Sequence, residues 1–341
     1  MFVLLRSLYE YTPARLGRLM LMALLVGGIV LGGAACATDS DSRAYDSSYR
    51  PNPNSPAVSS YRSAYEPSYT LNRLDDGNRS DRADSLPPGL RLQTPSALVV
   101  DDRGNRLYAR NTRQARPIAS VTKLMTAMVV LDAGVSMSTP ISIVEQDRDR
   151  LKNSSSRLRI GAARLPRNQM MMAALISSDN RAAHALSRTT FRGGTPVFVR
   201  AMNRKAKALG MRDTNFVDPT GLDPRNHSTA EDMVKMVQAA SRYAFIRSTT
   251  SRGEMTLYPF ADHRPLQYRN TNPLVRDPDW QIEVSKTGFI NEAGRCLVMQ
   301  TRIGDRRLTI VLLGANGKMT PVGDSNRLRD WMLSGSYTAS R

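Results

Sequence analysis

Pro117-Ile118-Ala119-Ser120-Val121-Thr122-Lys123-Leu124-Met125-Thr126-Ala127-Met128-Val129-Val130-Leu131 sets a serine three residues before a lysine, and an apolar run follows at helical spacing. On a helix, residues three apart share a face, so the Ser120 hydroxyl and the Lys123 amine can meet. A serine hydroxyl is a poor nucleophile until an adjacent base activates it. A lysine desolvated by packing can be that base, because burial lowers its pKa. A solvated helix start would produce the same pair by chance. The chain nevertheless holds only seven lysines against 41 arginines, and no other lysine follows a serine at this spacing. Arginine stays protonated in proteins. Lysine is therefore the one long cation that could serve here as a base.

The 341 residues suffice for one large domain or two ordinary ones, and 41% hydrophobic content suits a packed core. The net charge of +18 is uneven. Residues 1–36 carry +2, residues 37–95 carry −1 and residues 96–341 carry +17. The part expected to fold is thus the basic part, which favours polyanionic surroundings. No nucleic-acid module accompanies the charge, because the basic residues are scattered and aromatics make up only 6%. Nucleic acid is not an expected partner.

The N-terminus sets the compartment. Arg6, Arg15 and Arg18 precede the apolar run Leu19–Ala35, which ends in small residues. Residues 1–37 read as an export signal cleaved after Ala37 or as an uncleaved membrane anchor. Gly33-Ala34-Ala35-Cys36 also admits lipidation at Cys36. An exported, cell-envelope location is expected in each case. Cys296 is the only other cysteine, so a stable internal disulfide is not expected in the mature protein. Residues 38–95 are rich in Ser, Tyr and Pro without apolar periodicity and read as a disordered tether.

The catalytic domain is expected over 96–335, with 336–341 as a tail. Ser96–Val100 and Arg106–Arg110 flank the turn signal Asp101-Asp102-Arg103-Gly104-Asn105. Helical patterns follow at 120–134, 168–176, 181–189 and 195–209. Residues 136–165 read as irregular, with a polar run Asn153-Ser154-Ser155-Ser156. Ser228-Thr229-Ala230-Glu231 reads as a capping box opening a helix over 230–243. Alternation at 281–285, 296–302 and 307–313 predicts strands, and 325–333 a closing helix. Sequential antiparallel strands with helices on their faces imply an α+β fold.

Two more motifs follow the Ser120–Lys123 pair in order: Ser178-Asp179-Asn180 at a break between helical stretches, and Lys286-Thr287-Gly288 ending a predicted strand. Alone, the second is a helix cap and the third a strand end. Together, in this order and context, the three are the set shared by penicillin-binding DD-peptidases and serine β-lactamases. The chain resembles the D-alanyl-D-alanine endopeptidases among the low-molecular-mass penicillin-binding proteins. Pro117–Leu131, Ser177–Ala183, Thr220–Met233, Arg269–Leu274 and Lys286–Gln300 carry the likeness, which spans roughly 96–334. It implies a DD-peptidase/β-lactamase-like fold, an antiparallel sheet flanked by helices plus a helical subdomain.

The resemblance also implies roles. Ser120 is the nucleophile and Lys123 its base. Ser178 relays a proton to the leaving amine, and Asn180 holds the substrate amide and the Lys123 amine. Lys286 and Thr287 bind a carboxylate, and Gly288 leaves room for substrate against the edge strand. The backbone N–H groups of Ser120 and Phe289 form the oxyanion hole. The implied reaction is cleavage of D-alanyl cross-links between peptidoglycan stem peptides through an acyl-enzyme, with β-lactams as covalent inhibitors. No metal or other cofactor is expected. Carboxypeptidases of this superfamily often add a C-terminal β-domain and a membrane-binding tail. The chain stops soon after its last expected helix, so the endopeptidase branch is expected and D-alanyl-D-alanine carboxypeptidase activity is the alternative.

Other readings fit less well. A class A β-lactamase needs a deacylating glutamate after the second motif. Glu231 is assigned to a cap, Glu283 lies on the strand before Lys286, and Glu254 comes too late in the chain. His184, His227 and His263 lack zinc-ligand spacing. Ser120 lacks the G-x-S-x-G turn of a Ser-His-Asp hydrolase. An inactive wall-binding homologue would not need all three motifs. No residue identifies itself as the base for deacylation.

Overall fold

The computed structural model describes residues 86–334. The export signal, Cys36, most of the tether and the tail all lie outside the described residues. The chain opens with β1 (Ser96–Asp101), β2 (Arg106–Arg110) and the short β3 (Arg116–Pro117). A 3₁₀ turn over Ala119–Thr122 leads into α1 (Lys123–Asp132). β4 (Pro140–Ser142) and β5 (Arg164–Pro166) frame a long polar loop. Helices α2 (Arg167–Ile176), α3 (Asn180–Thr190) and α4 (Gly194–Ala208) follow. Then come β6 (His227–Ser228), α5 (Ala230–Ala240), α6 (Ala244–Thr250), β7 (Glu254–Leu257) and β8 (Leu266–Arg269). β9 (Gln281–Ile290), β10 (Gly294–Ile303), β11 (Arg306–Ala315) and α7 (Thr320–Leu333) complete the domain.

The main sheet has the order β2-β1-β11-β10-β9, with every neighbouring pair antiparallel. Period-two alternation sorts its side chains between two cores. Leu98, Val100, Val284, Val298 and Val311 face the helical layer that includes α1 and α5. Val99, Leu297, Met299, Ile310 and Leu312 face Leu328 and Trp331 of α7. The α+β fold and its helical layer are as expected from the pattern. β9 lies at one edge of this sheet, and it carries Lys286, Thr287 and Gly288.

Helix α1 is buried from Lys123 to Val130, because α3, α4 and α5 pack around it. A helix enclosed on all sides reads as apolar on all faces. This is why the apolar run shows so little polar relief, and it is what desolvates Lys123.

Several local expectations change. The packed unit reaches back before residue 96. Leu90 and Leu92 are buried in the α7-side core, and the Asp324 carboxylate accepts from the N–H groups of Gln93 (2.8 Å) and Thr94 (2.7 Å). The cap of α5 is Thr229, whose hydroxyl accepts from Asp232 N–H. Glu231 is drawn instead to Arg106 and Thr112, so the expected capping box does not form. Helix α5 ends at Ala240, and the Tyr243 hydroxyl turns inward to Asp132 and Lys205 before α6 begins. The hairpin β7–β8 and the pair β4–β5 had no strong alternation in the sequence.

Candidate active site

Ser120 sits where three backbone segments meet. Ala119 has φ +48°, a left-handed value that a non-glycine residue holds only when its surroundings impose it. One neighbour is Gly288 on β9. A Cβ there would lie 2.9 Å from Ile118 O and 3.1 Å from Ser120 N. The other is Gly221, at φ +81°, where a Cβ would overlap the Ala119 carbonyl. Both glycines are therefore required by close approach. The Ile118 N–H donates to Asn226 O at 3.1 Å and ties the same turn down from below.

Lys123 lies beneath Ser120 and is 1% exposed. Its Nζ is 2.8 Å from Ser120 Oγ, 2.7 Å from Asn180 Oδ1 and 2.7 Å from the Thr220 carbonyl oxygen. Burial lowers the Lys123 pKa to about 7, against the opposing pull of Asp218, Asp179 and Asp149. The amine is thus partly neutral near pH 7, and among the described residues Ser120 is the one hydroxyl it hydrogen-bonds.

The second motif occupies the break between α2 and α3. Ser178 holds φ +62°, which turns the chain back on itself. Asp179 caps α3 by accepting from Ala182 N–H, and Asn180 starts the helix facing Lys123. The helix-cap role expected of this motif alone thus belongs to Asp179. Burial raises the Asp179 pKa against the hydrogen bonds from Ala182 and Ser156. From β9, Lys286 Nζ donates to Ser178 Oγ at 3.0 Å and to Thr287 O at 2.8 Å. Lys286 is 1% exposed. Burial and the nearby Lys123 push its pKa well below the usual lysine range. The Thr287 hydroxyl donates to Thr271 Oγ1 at 2.6 Å, and Thr271 N–H donates to Ile176 O beside the motif.

All three motifs therefore come together: Lys123 joins Ser120 to Asn180, and Lys286 reaches Ser178 with Thr287 and Gly288 beside it on β9. Phe289 follows Gly288 on the same edge, its exposed ring covered by the Arg295 guanidinium at 3.7 Å. Sequence reasoning missed what the loop under Ser120 contributes. The Asp218 carboxylate accepts from the N–H groups of Thr220 (2.5 Å), Gly221 (2.8 Å) and Asp223 (2.9 Å). Asn226 is fully buried, accepts from Val217 and Asp218 N–H, and donates to Thr122 Oγ1 and Asp218 O. This scaffold presents the Thr220 carbonyl to Lys123. The available signal was Asp218-Pro219-Thr220-Gly221, a run with strong turn chemistry.

The histidines lie apart from these motifs. His184 Nδ1 is 3.0 Å from Asp147 Oδ1, and His227 Nδ1 is 2.9 Å from Arg225 O. Among the described residues no group of three or more His, Cys, Asp or Glu could hold a metal ion. Cys296 is buried, and that burial pushes its thiol up to about 11.

The chain is 42% identical to a D-alanyl-D-alanine endopeptidase of Pseudomonas aeruginosa over 74% of its length and 82% of that protein. It is also 42% identical to the D-alanyl-D-alanine endopeptidase of Escherichia coli, over 72% of this chain and 78% of the other. In fold it is similar to the Streptomyces K15 DD-transpeptidase, with a TM-score of 0.67 and 22% identity over 73% of this chain and all of that one. The family model described as D-alanyl-D-alanine carboxypeptidase, peptidase family S11, matches residues 82–317, and the chain belongs to that family of serine DD-peptidases.

Proposed function

We propose that the Ser120 cleft cleaves the D-alanyl cross-link between two peptidoglycan stem peptides, and that Ser120, Lys123, Ser178, Asn180 and Lys286 carry the reaction. The observation behind this reading is the triple contact of Lys123 Nζ with Ser120 Oγ, Asn180 Oδ1 and Thr220 O. A neutral lysine has two N–H bonds and one lone pair. Two carbonyl oxygens take the N–H bonds, which leaves the lone pair for the Ser120 hydroxyl proton.

Acylation then proceeds in balanced steps. Ser120 Oγ attacks the D-alanyl carbonyl carbon as its proton passes to Lys123 Nζ. The N–H groups of Ser120 and Phe289 hold the oxyanion, each donor worth about 3–4 kcal/mol. Collapse breaks the C–N bond, and Ser178 relays a proton to the leaving amine. Water then releases the acyl group from Ser120. Lys286 and Thr287 receive a carboxylate on the leaving side. An arriving carboxylate favours the charged form of Lys286, offsetting its burial. A β-lactam enters the same path and stops at the acyl-Ser120 stage.

The endopeptidases of Pseudomonas aeruginosa and Escherichia coli support cross-link cleavage over removal of a terminal D-alanine. Residues 1–37 would direct export and either leave or anchor the protein, with Cys36 as a lipid attachment point. No helix among the described residues is long and apolar enough to cross a membrane. The test is incubation of the purified full chain with cross-linked muropeptide dimers and, separately, with monomers ending in D-alanyl-D-alanine. Dimer cleavage that disappears in Ser120→Ala supports the proposal. Cleavage of monomers alone would make the enzyme a carboxypeptidase, and dimer cleavage by Ser120→Ala would overturn the mechanism.

A further inference from the structure

The polar run Asn153-Ser154-Ser155-Ser156 has no part in the acyl transfer above, yet two of its hydroxyls reach the second motif. Asn180 Nδ2 donates to Ser154 Oγ at 2.7 Å, and Ser156 Oγ donates to Asp179 Oδ2 at 2.7 Å. The run is itself held in place. The Asp149 carboxylate accepts from the N–H groups of Leu151 (2.8 Å), Lys152 (3.1 Å) and Ser154 (2.7 Å). Asn153 turns the chain at φ +50°, which asparagine tolerates better than most residues. Lys152 Nζ reaches across to Glu292 at the turn between β9 and β10.

We propose that Ser154 is a positioning residue, which takes the Nδ2 end of Asn180 and so turns the Oδ1 end onto Lys123. The proposal rests on Ser120 as nucleophile and Lys123 as base. The two ends of an asparagine amide have the same shape and opposite hydrogen-bonding character. With Oδ1 toward Lys123, the amide accepts an amine N–H, and the lone pair stays with Ser120. With the amide reversed, Nδ2 would compete with the Ser120 hydroxyl for that lone pair. Lys123 cannot enforce the choice alone, because a neutral amine both donates and accepts. Ser154 can, because its hydroxyl is itself hydrogen-bonded to the Asp149 carboxylate: its proton is committed there, and its oxygen is left to accept from Asn180 Nδ2.

The charged groups around Lys123 are Asp218 beneath it, Asp179 at the start of α3, Asp149 in the polar loop and Lys286 on β9. A Ser154→Ala change removes none of them. Its effect on the pH profile therefore reports Asn180.

The experiment measures the second-order rate of Ser120 acylation by labelled penicillin across the neutral pH range, using the full chain. Wild type and Ser120→Ala come first. If wild type is not labelled, or Ser120→Ala is, the parent reading has failed before Ser154 is in question. With those controls in order, Ser154→Ala is expected to acylate roughly ten-fold more slowly, the scale of one lost hydrogen bond near a charge. Its acidic limb is expected to move to lower pH, because charged Lys123 has lost a firm acceptor. Ser154→Thr keeps the hydroxyl and restores both rate and limb. In an Asn180→Ala background, Ser154→Ala should have no further effect, as expected of residues acting through one another. A wild-type rate, an unmoved limb, or an effect that adds in full to Asn180→Ala overturns the proposal. Should Ser154→Ala not fold, Ser154→Cys fills the same space with a weak acceptor and is read the same way.

Discussion

Gly221 lies against the carbonyl of Ala119, so closely that a Cβ would overlap it. The contact joins the loop that offers Thr220 O to Lys123 with the residue before Ser120. Neither residue has a side chain that reacts, and yet their approach sets the depth of the lysine site.

Gly221→Ala is therefore expected to disable the enzyme with only partial loss of stability. The added methyl meets backbone on one side, and φ +81° is unfavourable for alanine. The loop must move, and Thr220 O leaves Lys123. Acylation by labelled penicillin should fall by about 100-fold or more, equivalent to roughly 3 kcal/mol at the transition state. Circular dichroism should still show a folded protein, since the α7-side core lies away from this contact. A variant with wild-type acylation would mean that the Thr220 carbonyl is dispensable.

Acylation should rise with pH and level off above about 7, where burial has placed the Lys123 pKa. Below that value the amine holds its proton and cannot accept one from Ser120. The stability effect has the same direction. The folded pKa lies below the unfolded one, so the unfolded chain binds the extra proton from about 7 up to the ordinary lysine value. Lys123 thus costs stability in full below about 7, and the cost fades as pH rises through that window. Lys123→Met should abolish acylation and raise the midpoint of urea unfolding at neutral pH. An unchanged or lowered midpoint would contradict the burial account.

Lys286 is pushed down in pKa by burial and by Lys123. An anionic ligand at this position favours the charged form, so binding should draw in a proton. Calorimetry of a slowly acylating β-lactam, or of a D-alanyl peptide bound to Ser120→Ala, should show an enthalpy that varies with the ionisation heat of the buffer. Lys286→Met should remove that variation and weaken binding. Buffer-independent heats in wild type would mean that Lys286 is already charged in the empty site.

Asp324 fastens the start of the domain to its closing helix. Its buried carboxylate accepts from Gln93 N–H, Thr94 N–H and the Thr94 hydroxyl, and also pairs with Arg327. Asp324→Ala should cost about 3 kcal/mol, because it leaves two backbone N–H groups without their carboxylate. That corresponds to a fall in Tm of roughly 6–12 °C for a domain of this size. Penicillin acylation well below the transition should be unaffected, since the contact lies at the α7 side of the sheet. Loss of acylation without loss of Tm would contradict this separation.

Much of the chemistry was present in the linear sequence. Ser120 and Lys123 are three residues apart, and a helical turn suffices to bring their side chains together. Ser178, Asp179 and Asn180 sit at a helix break, and Lys286, Thr287 and Gly288 on a strand, both legible from periodicity. Local spacing and pattern fix such features because they depend on neighbours within a few residues. The groups that tune the site were not legible in this way. Thr220 contributes a carbonyl that any residue possesses, so only the path of the backbone brings it to Lys123. Gly221 matters for the backbone it admits, which composition does not reveal. Ser154 looked like one polar residue in a polar run until folding set it against Asn180. The sequence by itself determined the Ser120–Lys123 pair and the α+β layering. Tertiary packing decided that the amine is dry enough to lose its proton near neutral pH, because desolvation comes from α3, α4, α5 and β9 closing around α1.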